Sequence, residues 1–432
     1  MYGKRREKFL EQIGAGVAVF PSAPVAIRNN DVEHEYRQDS DLFYLTGFDE
    51  PESVLVLTNA HKEHRSVLFV RKRDPNREVW DGPRAGVEGA LADFGVDAAY
   101  PIHELAEKLP DYLSDVHRLH YRLGVNRGFD DQLLRAIDAV RRKARTGVRP
   151  PGEIVDPGLV LHEMRLRKET GELDAMRRAA AITGEAHQRA MEVARPGVFE
   201  YQVEAEILHS FRANGAERPA YGSIVGSGRN ATVLHYRKND RQLEDGDLLL
   251  IDAGCEYGYY AADVTRTFPV NGAFSDPQRE LYDLVLASQK AAVSAVKPGA
   301  TLDDVHQVAV RVLTEGMIQL GLIEGPFEKA IEEELYKPYY MHRTSHWLGM
   351  DVHDVGPYFV DGNARPLEEG FVLTVEPGIY VSETAEVDPR YQGIGIRIED
   401  DVLVTGDGNE NLTAHIPKEP GQVEELLASR TV

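Results

Sequence analysis

The second half of this 432-residue chain contains an internal duplication, which restricts the possible folds more than any other feature of the sequence. The segment LEDGDLLLIDAG (243–254) aligns without gaps with LEEGFVLTVEPG (367–378). A second pair, ARPGVFEYQVEAEI (194–207) and VKPGATLDDVHQVA (296–309), occurs in the same order. Two pairs of matching blocks in one order favour a duplicated α/β unit over an accidental similarity.

The duplication also predicts where two carboxylates meet. Asp252 and Glu376 occupy the same position in the aligned blocks, each at the end of an apolar run that is typical of a buried strand. We therefore expect two halves related by a pseudo-two-fold axis, with Asp252 and Glu376 facing each other across it.

The region before the duplication predicts a separate domain. SVLVL (53–57) and SVLFV (66–70) have the composition of buried strands and are separated by a polar turn. RPPGEIVDPG (149–158) is rich in proline and glycine, as linkers are. The predicted fold class is α/β (α+β), with an N-terminal α/β domain over residues 1–160 and a second domain over residues 161–432.

A long helix is expected at the start of the second domain. Thr170 is a suitable N-cap residue, and Glu172 lies in the first predicted turn. Pro196 and Gly197 end the pattern. The apolar residues between these limits fall broadly on one helical face: Met176, Ala180, Ala186, Ala190 and Val193.

Composition excludes several classes of function. The net charge of −22 argues against binding to a nucleic-acid backbone, which needs clustered lysine and arginine. No apolar stretch is long enough to cross a bilayer, and the N-terminal segment lacks the apolar core of a signal peptide. The single cysteine, Cys255, permits no intrachain disulfide. We therefore expect a soluble, cytoplasmic protein without nucleic-acid or membrane partners.

Four carboxylates end or interrupt strongly apolar strands: Asp252, Asp263, Glu376 and Glu399. Buried together they would raise one another's pKa and destabilise the fold. A pair of divalent cations removes that cost, because four carboxylates balance two doubly charged ions. Oxygen ligands with one imidazole favour Mn²⁺ or a similar metal.

The imidazole is expected from the segment MHRTSHWLGMDVHDVG (341–356), which contains His342, His346 and His353. A lone histidine is more often a structural hydrogen-bonding residue than a ligand, but three in so short a segment favour chemistry. The surrounding glycines and Trp347 indicate loop and strand rather than helix. His235 is a weaker candidate when taken alone.

The blocks IDAG…ADVTRTF, SHWLGMDVHDVG, TVEPGIY and GIRIEDD occur in the order found in the pita-bread metallopeptidases, which include aminopeptidase P, prolidase and methionine aminopeptidase. Residues 28–57 resemble the N-terminal domain of bacterial-type aminopeptidase P. The resemblance covers nearly the whole chain. It implies a creatinase-like α/β domain, concerned with oligomerisation and substrate access, followed by a pita-bread catalytic domain.

The resemblance also implies a role for particular residues. Asp263 and Glu399 would bridge two metals, and Glu376 would help to manage the proton. Arg343 departs from the family pattern, which often has glycine there. The full set of implied metal ligands is Asp252, Asp263, His346, Glu376 and Glu399. Substrate and transition-state contacts are implied for His235, His342, His353, Tyr221, Tyr380 and Arg397, with the oxyanion assigned to His353.

Asp31 and Trp80 match positions that, in tetrameric relatives, reach the active site of a neighbouring subunit. A homo-oligomer, either dimer or tetramer, is therefore expected. The implied activity is hydrolysis of the bond between an N-terminal residue and a following proline, by a hydroxide that bridges two metals. The metals are expected to be Mn²⁺, with Zn²⁺ or Co²⁺ as alternatives, and the partners are peptides with proline in second position.

Three other hypotheses about the function are compatible with this type of fold. Prolidase cleaves only dipeptides, so a comparison of Gly-Pro with a longer peptide such as Arg-Pro-Pro separates it from an aminopeptidase. A non-catalytic pita-bread module binds peptides or other partners without metal. Creatinase-type chemistry also uses the fold without metal. The complete set of five ligand residues argues against the last two.

Overall fold

The computed structural model describes residues 1–430. The chain forms two compact units, Met1–Met164 and Arg165–Val432. No helix among the described residues is both long enough and apolar enough to span a membrane.

The first unit contains a six-stranded mixed sheet in the order β6-β5-β4-β1-β7-β8. The two runs predicted as strands form β4 and β5, which pair antiparallel with Val54 opposite Phe69. The outer pairs, β5 with β6 and β7 with β8, are parallel, as is β1 with β7. The strands are β1 (Val17–Pro21), β2 (Ile27–Asn29), β3 (Val32–Glu33), β4 (Val54–Thr58), β5 (Ser66–Val70), β6 (Ala98–Pro101), β7 (Arg118–His120) and β8 (Glu153–Val155).

The sheet is covered where a helix presents one apolar face to it. The helix at Arg127–Arg142 buries residues at helical spacing, including Phe129, Leu133 and Ile137, in one core with Val56 and Phe69 of the sheet. The helices are α1 (Tyr2–Ile13), α2 (Ser40–Thr46), α3 (Pro75–Asp81), α4 (Gly86–Phe94), α5 (Leu105–Tyr112), α6 (Arg127–Arg142) and α7 (Gly158–Leu166), the last of which contains the boundary between the units.

The second unit begins with the long helix that the sequence predicts. It runs from Thr170 to Val193, and Glu169 and Glu172 form a capping box at its start, so the N-cap is one residue earlier than expected. The helices of this unit are α8 (Thr170–Val193), α9 (Glu200–Ala213), α10 (Asp276–Ala295), α11 (Leu302–Gln319), α12 (Phe327–Glu332) and α13 (Pro420–Ala428).

The strands of the second unit reproduce the duplication. In one half β11 ends at Asp252 and pairs antiparallel with β14. In the other, β17 ends one residue before Glu376 and pairs antiparallel with β20. The strands are β9 (Arg218–Pro219), β10 (Ile224–Ser227), β11 (Leu248–Asp252), β12 (Cys255–Tyr257), β13 (Tyr260–Ala261), β14 (Thr265–Pro269), β15 (Phe359–Val360), β16 (Asn363–Ala364), β17 (Val372–Val375), β18 (Gly378–Tyr380), β19 (Gly395–Arg397), β20 (Asp400–Val404) and β21 (Asn409–Asn411).

Each half therefore contributes two acids in the same way. One acid is the last residue of the first strand or the residue after it, and the other lies one or two residues before the second strand. These acids are Asp252 and Asp263 in the first half, and Glu376 and Glu399 in the second. A pair of helices precedes each strand pair, α8 with α9 and α10 with α11.

Candidate metal centre

The carboxylates of the first half are held together by their strands and by a tyrosine. Asp252 lies opposite Thr265 in the β11–β14 register, which brings Asp263 near the same end of the sheet. Tyr221 Oη lies 2.6 Å from Asp252 Oδ1 and 2.5 Å from Asp263 Oδ1. Both carboxylates are buried. The antiparallel pairing of β11 with β14 therefore brings the two side chains together.

The second half joins the first at β14. The Glu399 amide donates to the Thr265 carbonyl at 3.1 Å, and Thr265 Oγ1 donates to Glu399 Oε2 at 2.6 Å. The Glu376 amide donates to the carbonyl of Thr344, which places this acid beside the histidine segment.

His346 lies on an extended segment next to β17, since Trp347 forms an isolated bridge with Leu373. Its Nδ1 is 3.0 Å from the Trp347 carbonyl, which can only accept, so Nδ1 carries the proton and Nε2 faces the acids. Nε2 lies 3.4 Å from Asp263 Oδ2 and 3.6 Å from Glu376 Oε1. This is the orientation of a metal-ligating imidazole.

The resulting cluster has the dimensions of a cation site. Ligand atoms of Asp263, His346 and Glu399 all lie within 4.8 Å of one another. Asp252 adjoins them through Tyr221, and Glu376 through His346. All five side chains predicted as ligands from the sequence therefore converge.

The electrostatics of the cluster fit a metal. Burial and the neighbouring acids raise the pKa of Glu376 to about 8 and that of Glu399 well above its ordinary value. Burial acts to lower the pKa of His346, but the hydrogen bond to Asp263 and the acid charges raise it to about 9. The raised pKa values of the acids and of His346 both mean that the cluster favours added positive charge. Its oxygen-rich donor set is suited to divalent ions.

Arg397 is buried and binds one of the acids and two hydroxyl groups. Its Nη2 donates to Asp252 Oδ2 at 2.6 Å, its Nη1 to Tyr380 Oη at 2.9 Å, and its Nε to Thr265 Oγ1 at 3.1 Å. His342 Nδ1 faces the Arg343 carbonyl, so its Nε2 accepts from Tyr380 Oη at 2.9 Å. Burial and the charge of Arg397 lower the pKa of His342 to about 3, which keeps the ring neutral.

Two further histidines near the cluster are exposed. The ring of His353 is centred 4.4 Å from the ring of His346, and His353 is exposed. His235 is also exposed, and it is near enough to affect the pKa of both His342 and His353. The acids lie inside and these imidazoles outside, as expected for groups that contact a substrate.

Comparison with known proteins assigns the chain to a family. Residues 174–406 match the model described as metallopeptidase family M24, and residues 2–120 match the model described as the N-terminal domain of aminopeptidase P. The chain belongs to metallopeptidase family M24.

Relatives in this family match over their whole length. An Xaa-Pro aminopeptidase from Escherichia coli strain K12 is 45% identical over 430 residues, which is 99% of this chain and 97% of the relative. The structure of Pseudomonas aeruginosa aminopeptidase PepP matches with a TM-score of 0.98 and 50% identity, covering 99% of this chain and 98% of that one. Zinc-substituted Escherichia coli aminopeptidase P in complex with product matches with a TM-score of 0.97 and 44% identity, covering 100% and 98%.

The predicted fold class is thereby confirmed, since an aminopeptidase P type N-terminal domain precedes an M24 pita-bread domain. The resemblance to aminopeptidase P and the pita-bread metallopeptidases, predicted from the sequence blocks, is confirmed by the same matches. The limits 1–160 and 161–432, and the role of each site residue, stay predictions.

Asp31 and Trp80 lie in the first unit, within the aminopeptidase P type N-terminal match. Asp31 is exposed between β2 and β3, and the side chain of Trp80 is 83% exposed on α3, a helix without buried residues. Nothing in the isolated chain tests their expected reach to another subunit.

The M24 unit contains residues beside the acids that the sequence analysis did not select. Thr265 contacts Glu399, the Asp401 carboxylate accepts from the Asp263 amide, and His187 Nε2 is 3.0 Å from the Ala253 carbonyl. Thr265 is the first residue of β14 and lies two residues after Asp263, a spacing that places two side chains on the same side of an extended chain. Tyr221, expected in the substrate pocket, contacts Asp252 and Asp263 instead, and a contact with substrate stays a prediction.

Proposed function

We propose that the chain is a metal-dependent aminopeptidase that hydrolyses the bond between an N-terminal residue and a following proline. The convergence of His346 with four carboxylates, three of them buried and Glu376 partly buried, is the observation that carries the proposal, and both halves of the M24 unit contribute to it. Full-length similarity to Xaa-Pro aminopeptidases supports the choice of substrate within the family.

The cofactor is proposed to be two divalent ions, with Mn²⁺ preferred and Zn²⁺ or Co²⁺ also compatible with the donors. Asp263 and Glu399, whose ligand atoms lie close to that of His346, would hold the ions together with the other candidate ligands. When bound, the ions supply Lewis acidity that activates a water and polarises the peptide carbonyl. The remaining ligands are Asp252, His346 and Glu376.

The proton and the developing charge are assigned to groups of the chain. Glu376 lies between His346 and His342, at 3.6 Å and 3.8 Å, where its carboxylate can take a proton released by the attacking water. His353 is exposed next to His346 and would donate to the oxyanion. His235, which is also exposed, would contact the substrate backbone near the scissile bond.

Substrate selectivity follows from charge and from the chemistry of proline. The acid cluster attracts the free α-ammonium of a peptide, which favours attack at the N-terminus. The nitrogen of an Xaa-Pro bond carries no hydrogen, so the site needs an apolar surface for the ring in place of a hydrogen-bond acceptor for an N–H. Tyr380 and Arg397, linked to His342, would position the substrate and the ligands.

Assembly and location are also part of the proposal. Exposed Trp80 and Asp31 would contact a second subunit in a homo-oligomer, a dimer or a tetramer. The single buried cysteine, Cys255, suits the cytoplasm.

The experiment that tests the function compares the wild-type protein with Glu376→Gln on Arg-Pro-Pro and on Gly-Pro. We expect the wild-type protein to release arginine from the tripeptide. The variant should lose about 10²- to 10⁴-fold in kcat, because Glu376 is the proton acceptor. Thermal unfolding and metal analysis of both proteins serve as controls for folding and loading. Full activity of metal-loaded Glu376→Gln would contradict the assignment, and cleavage restricted to Gly-Pro would indicate a prolidase.

A further inference from the structure

The hydroxyl of Thr265 lies between the guanidinium of Arg397 and the carboxylate of Glu399, a candidate metal ligand. Its Oγ1 is 3.1 Å from Arg397 Nε and 2.6 Å from Glu399 Oε2, and the residue is completely buried. The side chain is therefore shielded from water, and these two groups are its hydrogen-bonding partners.

The direction of both hydrogen bonds is fixed by chemistry. A guanidinium nitrogen can only donate, so Thr265 Oγ1 accepts from Arg397. A hydroxyl carries one proton, and here that proton points to Glu399 Oε2. The oxygen of Glu399 is thus an acceptor with a further lone pair free for a metal.

The main chain of Thr265 also binds Glu399. Its carbonyl accepts from the Glu399 amide at 3.1 Å, so Glu399 is fixed at its backbone and at the end of its side chain by one residue of β14. A glutamate side chain has three rotatable bonds, and a hydrogen bond at its tip removes most of that freedom.

We propose that Thr265 is a positioning residue that orients the Glu399 carboxylate for metal binding, with Arg397 fixing the direction of the hydroxyl. The proposal rests on the proposed function, since it takes Glu399 to be a ligand. Outer hydrogen bonds of this kind typically change metal affinity by 10- to 100-fold in other proteins.

The strand also supplies a matched control. Thr267 is completely buried on the same face of β14, but its Oγ1 contacts the Arg397 backbone, at 3.0 Å to the carbonyl and 3.3 Å to the amide. Thr267→Val therefore removes a buried hydroxyl beside Arg397 without removing a hydrogen bond to a carboxylate.

The experiment titrates the chelator-treated, full-length protein with Mn²⁺ alone, by isothermal calorimetry. Thr265→Val should bind Mn²⁺ roughly 10- to 100-fold more weakly than wild type. Thr265→Ser, which keeps the hydroxyl, should restore the affinity, and Thr267→Val should bind as wild type does. Unfolding of the metal-free proteins shows whether the two valine variants are equally stable. Should Thr265→Val not fold, the alanine variants at both positions make the same comparison.

The possible outcomes distinguish failure of the positioning role of Thr265 from failure of the proposed function. Equal Mn²⁺ affinity in Thr265→Val and wild type would overturn the positioning role, as would an equal loss in Thr267→Val. Wild-type protein that binds no divalent ion would overturn the proposed function and the inference together. As a second readout, saturating Mn²⁺ should recover Arg-Pro-Pro hydrolysis in Thr265→Val, because the defect lies in metal binding.

Discussion

At the scale of single residues, the duplicated motif contains a glycine in each half for the same steric reason. Gly254 follows Asp252 in the first half, and a Cβ there would fall against the carbonyl of Ala262, closer than real Cβ contacts occur. Gly378 is its counterpart, and a Cβ would lie 2.8 Å from the carbonyl of Ile396. Backbone approach at these points brings the acid-bearing strands together.

Gly254→Ala should therefore destabilise the protein strongly. The obstructing atom is a backbone carbonyl, so the strand carrying Asp263 must move away, at a cost of about 2–4 kcal/mol in the free energy of unfolding. Urea unfolding measures the change. Gly408→Ala is the control, since no atom lies within 4 Å of its added Cβ. Equal stability of the two variants would contradict the steric explanation.

At the scale of elements, the helices and strands that could be predicted from the sequence are those with a periodic or repeated hydrophobic pattern. The runs at β4 and β5, the helix α8 and the duplicated strands β11 and β17 follow from hydrophobic pattern, and all are confirmed. Strands of two or three residues, such as β13 and β16, carry no periodic signal and exist because neighbouring backbone pairs with them. The four acids were predicted from their positions at or near strand ends, and His346 from the histidine segment and the family resemblance. Thr265 was missed because its role depends on a neighbour from the other half.

Helix α8 supports the site through His187, which gives a prediction about pH. The ring is completely buried, and burial together with the charge of Arg266 lowers the pKa of His187 to about 4. Above pH 6.5 the ring is neutral in both folded and unfolded protein. As the pH falls from 6.5 towards 4, only the unfolded chain takes up the proton, so stability declines by about 1.4 kcal/mol per pH unit at most.

His187→Gln should remove that part of the decline. Urea unfolding of chelator-treated protein between pH 5 and 7 measures it, as the difference in slope between variant and wild type. His209→Gln, on the neighbouring helix α9 and exposed, is the control. Parallel slopes for wild type and His187→Gln would show that the buried ring does not control acid stability.

At the scale of the whole molecule, the acidic site connects the two halves of the M24 unit. Asp252 and Asp263 come from one half, and His346, Glu376 and Glu399 from the other. Unneutralised, these acids disfavour their own burial, as the raised pKa values of Glu376 and Glu399 indicate. A cation at this place therefore does more than enable chemistry, because it stabilises the contact between the halves.

Chelation should thus lower both activity and stability. EDTA treatment should abolish hydrolysis of Arg-Pro-Pro, and added Mn²⁺ should restore it. At free Mn²⁺ 100-fold above its Kd, mass action adds about 2.7 kcal/mol per site to the free energy of unfolding, so the thermal midpoint should rise with Mn²⁺ concentration. Asp263→Asn, which removes a proposed ligand, should show little of this rise, and KCl at the same ionic strength is the control for salt. A midpoint that does not respond to any divalent metal would mean that the acids are held together by Arg397 and their hydrogen bonds alone.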